Sequence, residues 1–316
     1  MSDRSVPVRM LRPFAWLGVL ALIVLAIVTG CHPNAASFSG VSELADPSTS
    51  GRHRTAPLAS TTPESPGILR SPAGAAASNP VGHPWAPRAG LRWQVQLAGA
   101  LLDNLGANVY DLDPYATATQ TVADLRRGGN LTMCHLDVGV ADAELPDAPR
   151  LGGRMLGAPV ADGSVRGWWL DIRQWDRIAP VLRDRLDLCR AKGFQAVDAD
   201  FGDGYAHPTG FPLTETDQLI YDRRVAALAH EAGLAVGVRT TAAVAASLES
   251  SVDFAVTAGC FATGSCVSLL SYVAAGKAVF DVEASAPGDV CPLARTYGIT
   301  ASLLPTPMAV ATSHPC

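Results

Sequence analysis

The chain has 316 residues, of which 48% are hydrophobic and 17% are charged, and its net charge is −5. This composition is too apolar for an intrinsically disordered chain, and the acidic balance argues against a nucleic-acid-binding protein. The length suffices for one large domain or two small ones.

The N-terminal segment has the organisation of a bacterial lipoprotein signal. Three arginines among the first twelve residues precede an uncharged apolar run over residues 14–28, which is short for a membrane span. The run ends at Gly30-Cys31, which resembles the site at which a lipoprotein cysteine is lipidated. We therefore expect residues 1–30 to be a signal peptide and Cys31 to carry the lipid that anchors an extracytoplasmic protein to the cell membrane. The alternative is an anchor helix with an incidental cysteine.

The segment that follows has the composition of a linker. Residues 31–84 are dominated by Ser, Pro, Ala, Gly and Thr and show no apolar periodicity. A small folded domain here would have too few apolar side chains to bury. We expect a flexible tether that separates the folded domain from the membrane surface.

The cysteines fit an oxidising compartment. The chain has seven, and lipid on Cys31 would leave an even number. Cys260 and Cys266 are close in sequence, and Cys291 can tie Cys316 back onto the domain. We therefore predict these two disulfides.

The other two cysteines, Cys134 and Cys189, lie in apolar stretches and fit either buried thiols or a third disulfide. No Cys-x-x-Cys pair occurs, so a zinc site is not indicated. We expect neither a metal ion nor a cofactor.

From residue 85 onward, short apolar strands alternate with helical patterns. The predicted strands are 93–97, 108–112, 131–136, 196–200, 235–239, 254–257, 278–283 and 299–304. Helical patterns occur at 119–127, 178–191, 214–231 and 268–275, the third beginning with a sequence close to a capping box. This alternation predicts a (β/α)8 TIM barrel over residues 85–316. The alternative, a doubly wound open sheet, normally carries a glycine-rich turn after its first strand, and none is present.

In a barrel of this kind the functional side chains lie at the carboxyl ends of the strands. Here these ends carry carboxylates beside aromatic rings, a combination that suits sugar binding and acid–base chemistry. Asp198 and Asp200 are two residues apart on one strand, so both are expected to face the barrel interior. The residues predicted to bind substrate are Trp93, Gln94, Tyr110, Asp111, Asp113, Asp198, Asp203, Tyr205 and Arg239.

Several blocks of sequence carry a family resemblance when they are taken in order. They are Trp93-Gln94-Val95-Gln96-Leu97, Val109-Tyr110-Asp111-Leu112-Asp113, Trp169-Leu170-Asp171-Ile172-Arg173, Lys192-Gly193-Phe194, Asp203-Gly204-Tyr205, Thr209-Gly210-Phe211-Pro212-Leu213-Thr214, Asp217-Gln218-Leu219 and Ala275-Gly276-Lys277-Ala278-Val279-Phe280. The region from residue 93 to residue 316 resembles glycoside hydrolase family 114, the endo-α-1,4-polygalactosaminidase-like TIM barrels. The resemblance implies an amino-sugar polysaccharide as substrate and Asp200 as a catalytic carboxylate.

The chain departs from the family pattern at the expected active site. At the end of the sixth predicted strand, Ala258 stands where the family carries the glutamate that partners the catalytic aspartate. Glycoside hydrolysis normally requires two carboxylates, so the family mechanism does not transfer intact. With Asp200 as nucleophile or base, the candidates for a relocated acid are Asp137, Asp281 and Glu283.

Three interpretations follow from these residues. The chain is a hydrolase with a relocated acid, or a catalytically degenerate barrel that binds a glycan without cleaving it. The third is metal-assisted chemistry at a cluster of hard oxygen ligands, comprising Asp137, Asp198, Asp200, Asp281 and His135.

We expect a family 114-like lipoprotein that hydrolyses an amino-sugar polysaccharide through an altered active site, with glycan binding as the alternative. The expected partners are the polysaccharide and the membrane, without nucleic acid, and the expected oligomeric state is a monomer.

Overall fold

The computed structural model describes residues 87–88, 90–161, 165–284, 288–304 and 313–316, which belong to one unit, Pro72–Cys316. The predicted signal peptide at 1–30, the lipidated Cys31 and the linker at 31–84 lie outside the described residues and stay predictions. Within the described part of the chain, no helix has both the length and the apolar character needed to cross a membrane.

The described residues form twelve strands. They are β1 (Trp93–Gln96), β2 (Val109–Leu112), β3 (Leu131–Asp137), β4 (Val140–Asp142), β5 (Leu156–Pro159), β6 (Gly167–Leu170), β7 (Ala196–Asp200), β8 (Ala235–Val238), β9 (Ala255–Ala258), β10 (Val279–Glu283), β11 (Thr300–Leu303) and β12 (His314–Pro315). Parallel pairing gives the orders β1-β2-β3-β7-β8 and β9-β10-β11. These are the eight predicted strands, so the prediction of an alternating α/β fold with parallel strands is confirmed.

Two links join the parallel sheets to each other. Arg239, just after β8, forms a parallel bridge with Val256 of β9. On the opposite side, β12 pairs antiparallel with β11, and Ser313 forms two hydrogen bonds of 2.8 Å with the backbone of Val95 in β1. The arrangement is consistent with a (β/α)8 barrel whose last seam is occupied by residues 313–315.

Seven α-helices connect the strands in the part of the chain that the structure describes. They are α1 (Thr119–Arg127), α2 (Trp175–Lys192), α3 (Glu215–Glu231), α4 (Ala242–Leu248), α5 (Cys260–Thr263), α6 (Leu270–Ala274) and α7 (Cys291–Tyr297). Helix α1 has the predicted bounds, and α2 includes the predicted 178–191. Helix α3 begins after Thr214, which forms a complete capping box with Asp217. The predicted helix at 268–275 is shorter, because a 3-10 turn at Cys266–Leu269 precedes α6.

Some elements escape the sequence prediction because they are short. Strands β4, β5 and β6 form an antiparallel sheet in the order β4-β6-β5 between β3 and α2. Each has three or four residues, too few for alternation to be visible. Helices α4, α5 and α7 have at most seven residues, about two turns, and β1 leads to β2 without a helix.

Apolar side chains form two separate cores. The inner core fills the barrel interior and includes Trp93, Met133, Ala196 and Phe280, whereas the outer core lies between the strands and the helices. Successive strand residues face opposite sides, so the residues two and four positions beyond Met133 and Ala196 also face inward. This alternation determines which polar side chains reach the end of the barrel.

The described residues contain three disulfides. The predicted Cys260–Cys266 and Cys291–Cys316 pairs are confirmed. The two remaining cysteines form the third bridge, Cys134–Cys189, which joins β3 to α2 across 55 residues of sequence.

Candidate active site

A layer of charged side chains lies above the inner core, at the carboxyl ends of the parallel strands. On β3 and β7, His135 pairs in register with Asp198, and Asp137 pairs with Asp200. All four continue the inward phase of Met133 and Ala196. Asp111 continues the same phase on β2, and Arg239 follows β8.

His135 is the centre of the charged layer. Its Nδ1 lies 3.4 Å from an oxygen of Asp111 and 3.4 Å from an oxygen of Asp198. Its Nε2 lies 3.2 Å from Oδ2 of Asp200. A single imidazole on β3 therefore contacts three carboxyl groups, which come from the two flanking strands β2 and β7.

Arg239 supplies the second positive charge. Its guanidinium pairs with Asp198 and lies 3.5 Å from Asp200 Oδ1 and 3.7 Å from Asp111 Oδ2. Beneath it, the Trp93 ring is fully buried, with the guanidinium carbon 5.9 Å from the ring centroid. Two cations thus hold Asp200 from two sides.

The electrostatics of this layer keep Asp200 ionised. Burial alone would raise the pKa of Asp198 and Asp200, but Arg239 and His135 outweigh it and hold both pKa values below the usual range. Burial would likewise lower the pKa of His135, but the surrounding carboxylates raise it well above its usual value. For Asp111, burial and the charge of Asp198 raise the pKa to about 7. Near neutral pH, His135 and Arg239 are therefore positive and Asp200 is negative.

Asp200 opens onto a cleft of about 720 Å³. The strand β7 and the following loop contribute Asp200, Phe201, Asp203 and His207, and β6 contributes Trp169. The other lining residues are Arg239, Thr240, Thr241, Ala242, Ala243, Thr257, Ala258, Thr263, Ser265, Ser268, Val282 and Leu304. The carboxylates that line this cleft therefore both come from β7 and the loop that follows it.

The wall from β9 to α6 contributes Thr257, Ala258, Thr263, Ser265 and Ser268 to the lining of the cleft, and none of these residues carries a carboxyl group. Ala258, at the end of β9, is exposed within this wall, at the position where the family resemblance implies a glutamate. A methyl group can neither donate nor accept a proton. If this cleft cleaves a glycoside, the second carboxyl group must come from elsewhere.

The loop after β7 is shaped by a non-glycine residue with positive φ. Phe201 has φ +61°, and its backbone N–H donates to Oδ1 of Asp200 at 2.6 Å. Asp203 then accepts a hydrogen bond of 2.8 Å from the N–H of Ala206, which opens a 3-10 turn. In the same loop, the hydroxyl of Tyr205 lies 2.8 Å from that of Thr241. Both predicted loop residues, Asp203 and Tyr205, thus lie at the ends of the strands around Asp200.

Asp137 lies beside Asp200 on the neighbouring strand. Burial raises its pKa to about 6, and the charge of Asp200 adds to this, against the opposing effect of His135. Its backbone oxygen accepts a 2.6 Å hydrogen bond from Arg185, a buried residue of α2 that is paired with Asp147. The lining of the described cleft does not include the side chain of Asp137.

The two carboxyl groups of β10 are not brought to Asp200. Asp281 and Glu283 alternate with Phe280 and Val282 of the inner core. They therefore face the outer core, between the strands and the helices. Asp281 accepts from the N–H of Cys260 at 3.1 Å, and Glu283 accepts from the N–H of Phe261 at 2.7 Å. Burial, together with a hydrogen bond to Glu283, raises the pKa of Asp281 to about 8. These groups cap the first turn of α5.

Other predicted substrate residues lie in local contacts. Gln94 is fully buried and donates to Leu102 O at 2.8 Å, while the hydroxyl of Tyr110 lies 3.4 Å from Asp103 O. Asp113 accepts from the N–H of Tyr115 at 2.7 Å, as a turn residue does. The structure therefore brings together Asp111, Asp198, Asp200, Arg239 and the Trp93 ring, with Asp203 and Tyr205 nearby in the loop after β7.

Two histidines near the cleft carboxylates were not predicted to act in catalysis or substrate binding. The ring of His207 stacks on Trp169 at 4.7 Å between centroids, and its Nε2 lies 3.0 Å from Asp203 Oδ2. His207 lies in a loop without periodicity, so its partner is set by the turn after β7. His135 entered the sequence predictions only as a metal ligand, although its alternation with Met133 already places it inside the barrel.

The charged layer includes two sets of groups with metal-ligand chemistry. One is Asp111, His135 and Asp198, and the other is His135, Asp137 and Asp200; within each set the ligand atoms lie within 4.8 Å of one another. However, Arg239 pairs with Asp198 and Asp200, and His135 holds a proton at neutral pH. A metal ion would have to displace that proton and share the carboxylates with a guanidinium, so the layer fits an ion-pair network better.

Comparison with known proteins gives a consistent assignment. The sequence profile of glycoside-hydrolase family GH114 matches residues 74–301. A sequence comparison with curated proteins gives no match. Among solved structures, Aspergillus fumigatus Ega3 in complex with galactosamine is similar, with 26% identity, a TM-score of 0.65, and coverage of 72% of this chain and 95% of that chain.

The glycoside hydrolase domain of PelA from Pseudomonas aeruginosa shares the fold. The identity is 15% and the TM-score 0.53, with 68% of this chain and 94% of that chain covered. The profile match extends over more than half of the sequence and includes β1 through β10. This chain therefore belongs to glycoside hydrolase family GH114.

Proposed function

We propose that this protein hydrolyses glycosidic bonds in an amino-sugar polysaccharide, as an endo-α-1,4-polygalactosaminidase-like enzyme with an altered active site. The observation that carries the proposal is Asp200, an ionised carboxylate that opens onto a cleft at the carboxyl end of a GH114 fold. The presence of galactosamine in the Ega3 complex supports an amino sugar as the substrate unit.

In this proposal Asp200 acts on the anomeric carbon, as nucleophile or as base for water. Both roles require an unprotonated carboxylate, and His135 and Arg239 keep Asp200 in that state. The same cations fix its position, since its oxygens are held by contacts of 3.2 Å and 3.5 Å. The chain thus supplies an oriented anion, and the proton for the leaving sugar comes from a residue other than Ala258.

The cleft also offers groups that suit a sugar chain. Hydroxyls of Thr241, Thr263 and Ser265 lie among its lining residues, and they can exchange hydrogen bonds with sugar hydroxyls. An open cleft at the end of a barrel can accommodate a polymer of several sugar units more easily than a closed pocket can.

A second candidate function is glycan binding without cleavage. The specific observation in its favour is Ala258, since the β9 wall carries no carboxyl group toward Asp200. In that case Asp200 would hold a sugar hydroxyl or amine, and its ion pairs with His135 and Arg239 would serve only to position it.

One experiment separates the two candidates. Purified full-length protein is incubated with partly deacetylated α-1,4-galactosaminogalactan, and new reducing ends are counted alongside polymer binding. Hydrolysis predicts release of reducing ends that is lost in Asp200→Asn and kept in Asp281→Asn, a matched change in the outer layer. Binding without release in the wild type would select the second candidate. The absence of both release and binding would refute both candidates.

We further propose that the protein is a monomeric, extracytoplasmic lipoprotein, anchored through Cys31. The three disulfides support an oxidising compartment, and the apolar run before Cys31 supports lipidation. Incorporation of labelled palmitate into the wild type, and its loss in Cys31→Ser, is the expected result. Labelling that persists in the variant would refute the assignment.

A further inference from the structure

We propose that Asp203, hydrogen-bonded to His207, is the proton donor that replaces the missing β9 carboxylate. This inference rests on the hydrolytic function proposed above and assigns its second catalytic residue. Asp203 was predicted only as a substrate-binding residue, and His207 was given no role.

The position of Asp203 supports the assignment. It lines the same cleft as Asp200, and 29% of its side chain is exposed, so a substrate can reach it. Two of the other three candidates are placed less well, because Asp281 and Glu283 lie in the outer core beneath α5. Asp137 is the nearest rival, since its carboxylate lies within 4.8 Å of that of Asp200. Asp203 differs from it in lining the cleft and in being held by a histidine.

The pairing of Asp203 with His207 is built into the local fold. The 3-10 turn at Gly204–Ala206 places residue 207 back over residue 203, with Nε2 3.0 Å from Oδ2. The His207 ring is fixed on Trp169, and Trp169 in turn packs edge-on against Phe201 at 5.6 Å. A carboxyl group held in this way has the fixed orientation that proton transfer requires.

The environments of the two cleft carboxyls differ in the direction that an acid–base pair needs. Burial and the negative charge of Asp200 raise the pKa of Asp203 above its usual value, although His207 partly opposes them. Arg239 and His135 lower that of Asp200. Two carboxyls whose pKa values are pushed apart are typical of glycosidase active sites.

The chemical step is a balanced transfer. The carboxyl proton of Asp203 passes to the glycosidic oxygen while the bond from C1 to that oxygen breaks and its electron pair goes to the oxygen. Asp200 assists at C1, as nucleophile or as base for water. Over one turnover a water molecule is consumed: its hydroxyl ends on C1 and its proton restores the Asp203 carboxyl group.

The test compares two substrates that differ in their need for an acid. The polymer has a sugar leaving group, which must be protonated, whereas a dinitrophenyl α-galactosaminide has a leaving group that departs as an anion. For Asp203→Asn in the full-length protein, we expect kcat/KM on the polymer to fall about 10²–10⁴-fold. On the aryl glycoside we expect less than about a tenfold loss, because a stable anion needs no general acid.

Two further variants test the role of Asp203 independently. Asp137→Asn tests the rival carboxyl, and any loss it causes is expected on both substrates alike. His207→Gln removes the group that lowers the pKa of Asp203, so the alkaline limb of the polymer pH profile should move to higher pH. An unmoved limb overturns the assignment even if Asp203→Asn fails to fold.

The remaining outcomes distinguish a failure of the role of Asp203 from a failure of the proposed hydrolytic function. Equal losses on both substrates in Asp203→Asn, or a selective polymer loss in Asp137→Asn, would overturn the role of Asp203 while leaving hydrolysis intact. A wild-type protein that cleaves neither substrate would instead refute the proposed function, and this inference with it.

Discussion

Strands β7 and β10 have nearly the same pattern and opposite roles. Strand β7 reads Ala-Val-Asp-Ala-Asp and β10 reads Val-Phe-Asp-Val-Glu, so each ends in two carboxyl groups two residues apart. In β7 the carboxyls share a face with Ala196 of the inner core, whereas in β10 Phe280 and Val282 occupy that face. A shift of one residue in phase therefore moves a carboxyl pair from the barrel interior to the helix layer.

The partners of the two pairs then set their charge states. Inside the barrel, Arg239 and His135 stabilise ionised Asp198 and Asp200. In the outer layer, Asp281 and Glu283 contact backbone N–H groups of α5, and the pKa of Asp281 is raised to about 8 by burial and by its neighbour. Placement, rather than composition, makes one pair a candidate for catalysis and the other a helix cap.

The largest expected effect is on turnover. Asp200→Asn should lower kcat on the polymer about 10²–10⁴-fold, because the amide can neither attack C1 nor take a proton. Asp281→Asn should keep kcat within about threefold, because an amide keeps the hydrogen-bond acceptor for Cys260 N–H. Reducing-end release measures both, and equal losses in the two variants would remove the distinction between the strands.

The cations of the charged layer should contribute measurably to the free energy of unfolding. Arg239→Gln leaves buried carboxylates without their main partner and should cost about 3–5 kcal/mol in the free energy of unfolding. The matched change Arg150→Gln breaks an exposed pair with Asp184 and should cost about 1 kcal/mol or less. Urea unfolding compares them, and similar costs would show that Arg239 does not stabilise the layer.

Much of the fold was predictable because it depends on local patterns. The apolar runs located all eight parallel strands, and the spacing of Asp198 and Asp200 indicated that both share a face. The face of Asp281 could not be predicted, since both sides of a parallel barrel strand are buried and Val279, Phe280 and Val282 give no polar side. The dyad of Asp203 and His207 depends on a turn without periodicity, so only the structure reveals it.

The disulfides beside the two strands should differ in their contribution to stability. The Cys134–Cys189 bridge begins on β3, next to β7, and closes 55 residues, whereas Cys260–Cys266 lies over β10 and closes only six. By chain entropy alone, removing the first with paired serines should cost about 4 kcal/mol and removing the second about 2 kcal/mol. Chemical denaturation of the two double variants measures the difference. The reverse order would show that loop length does not govern their contribution.

The last comparison is a difference in pH dependence, and it tests the charge states of the two carboxyl pairs directly. An acid with a raised pKa in the fold keeps its proton after the unfolded chain has lost it, so stability falls as pH rises between the two pKa values. For Asp281 that window extends from about 4 in the unfolded chain to about 8 in the fold. Its slope is at most about 1.4 kcal/mol per pH unit.

Asp198 has the opposite sign, because its pKa is lowered in the fold. Its contribution to stability is complete above the unfolded value and is lost only as pH falls below about 4. Urea unfolding from pH 5 to pH 8 should therefore show wild type losing stability relative to Asp281→Asn as pH rises. If this difference is flat from pH 5 to pH 8, Asp281 is ionised in the fold, as Asp198 and Asp200 are.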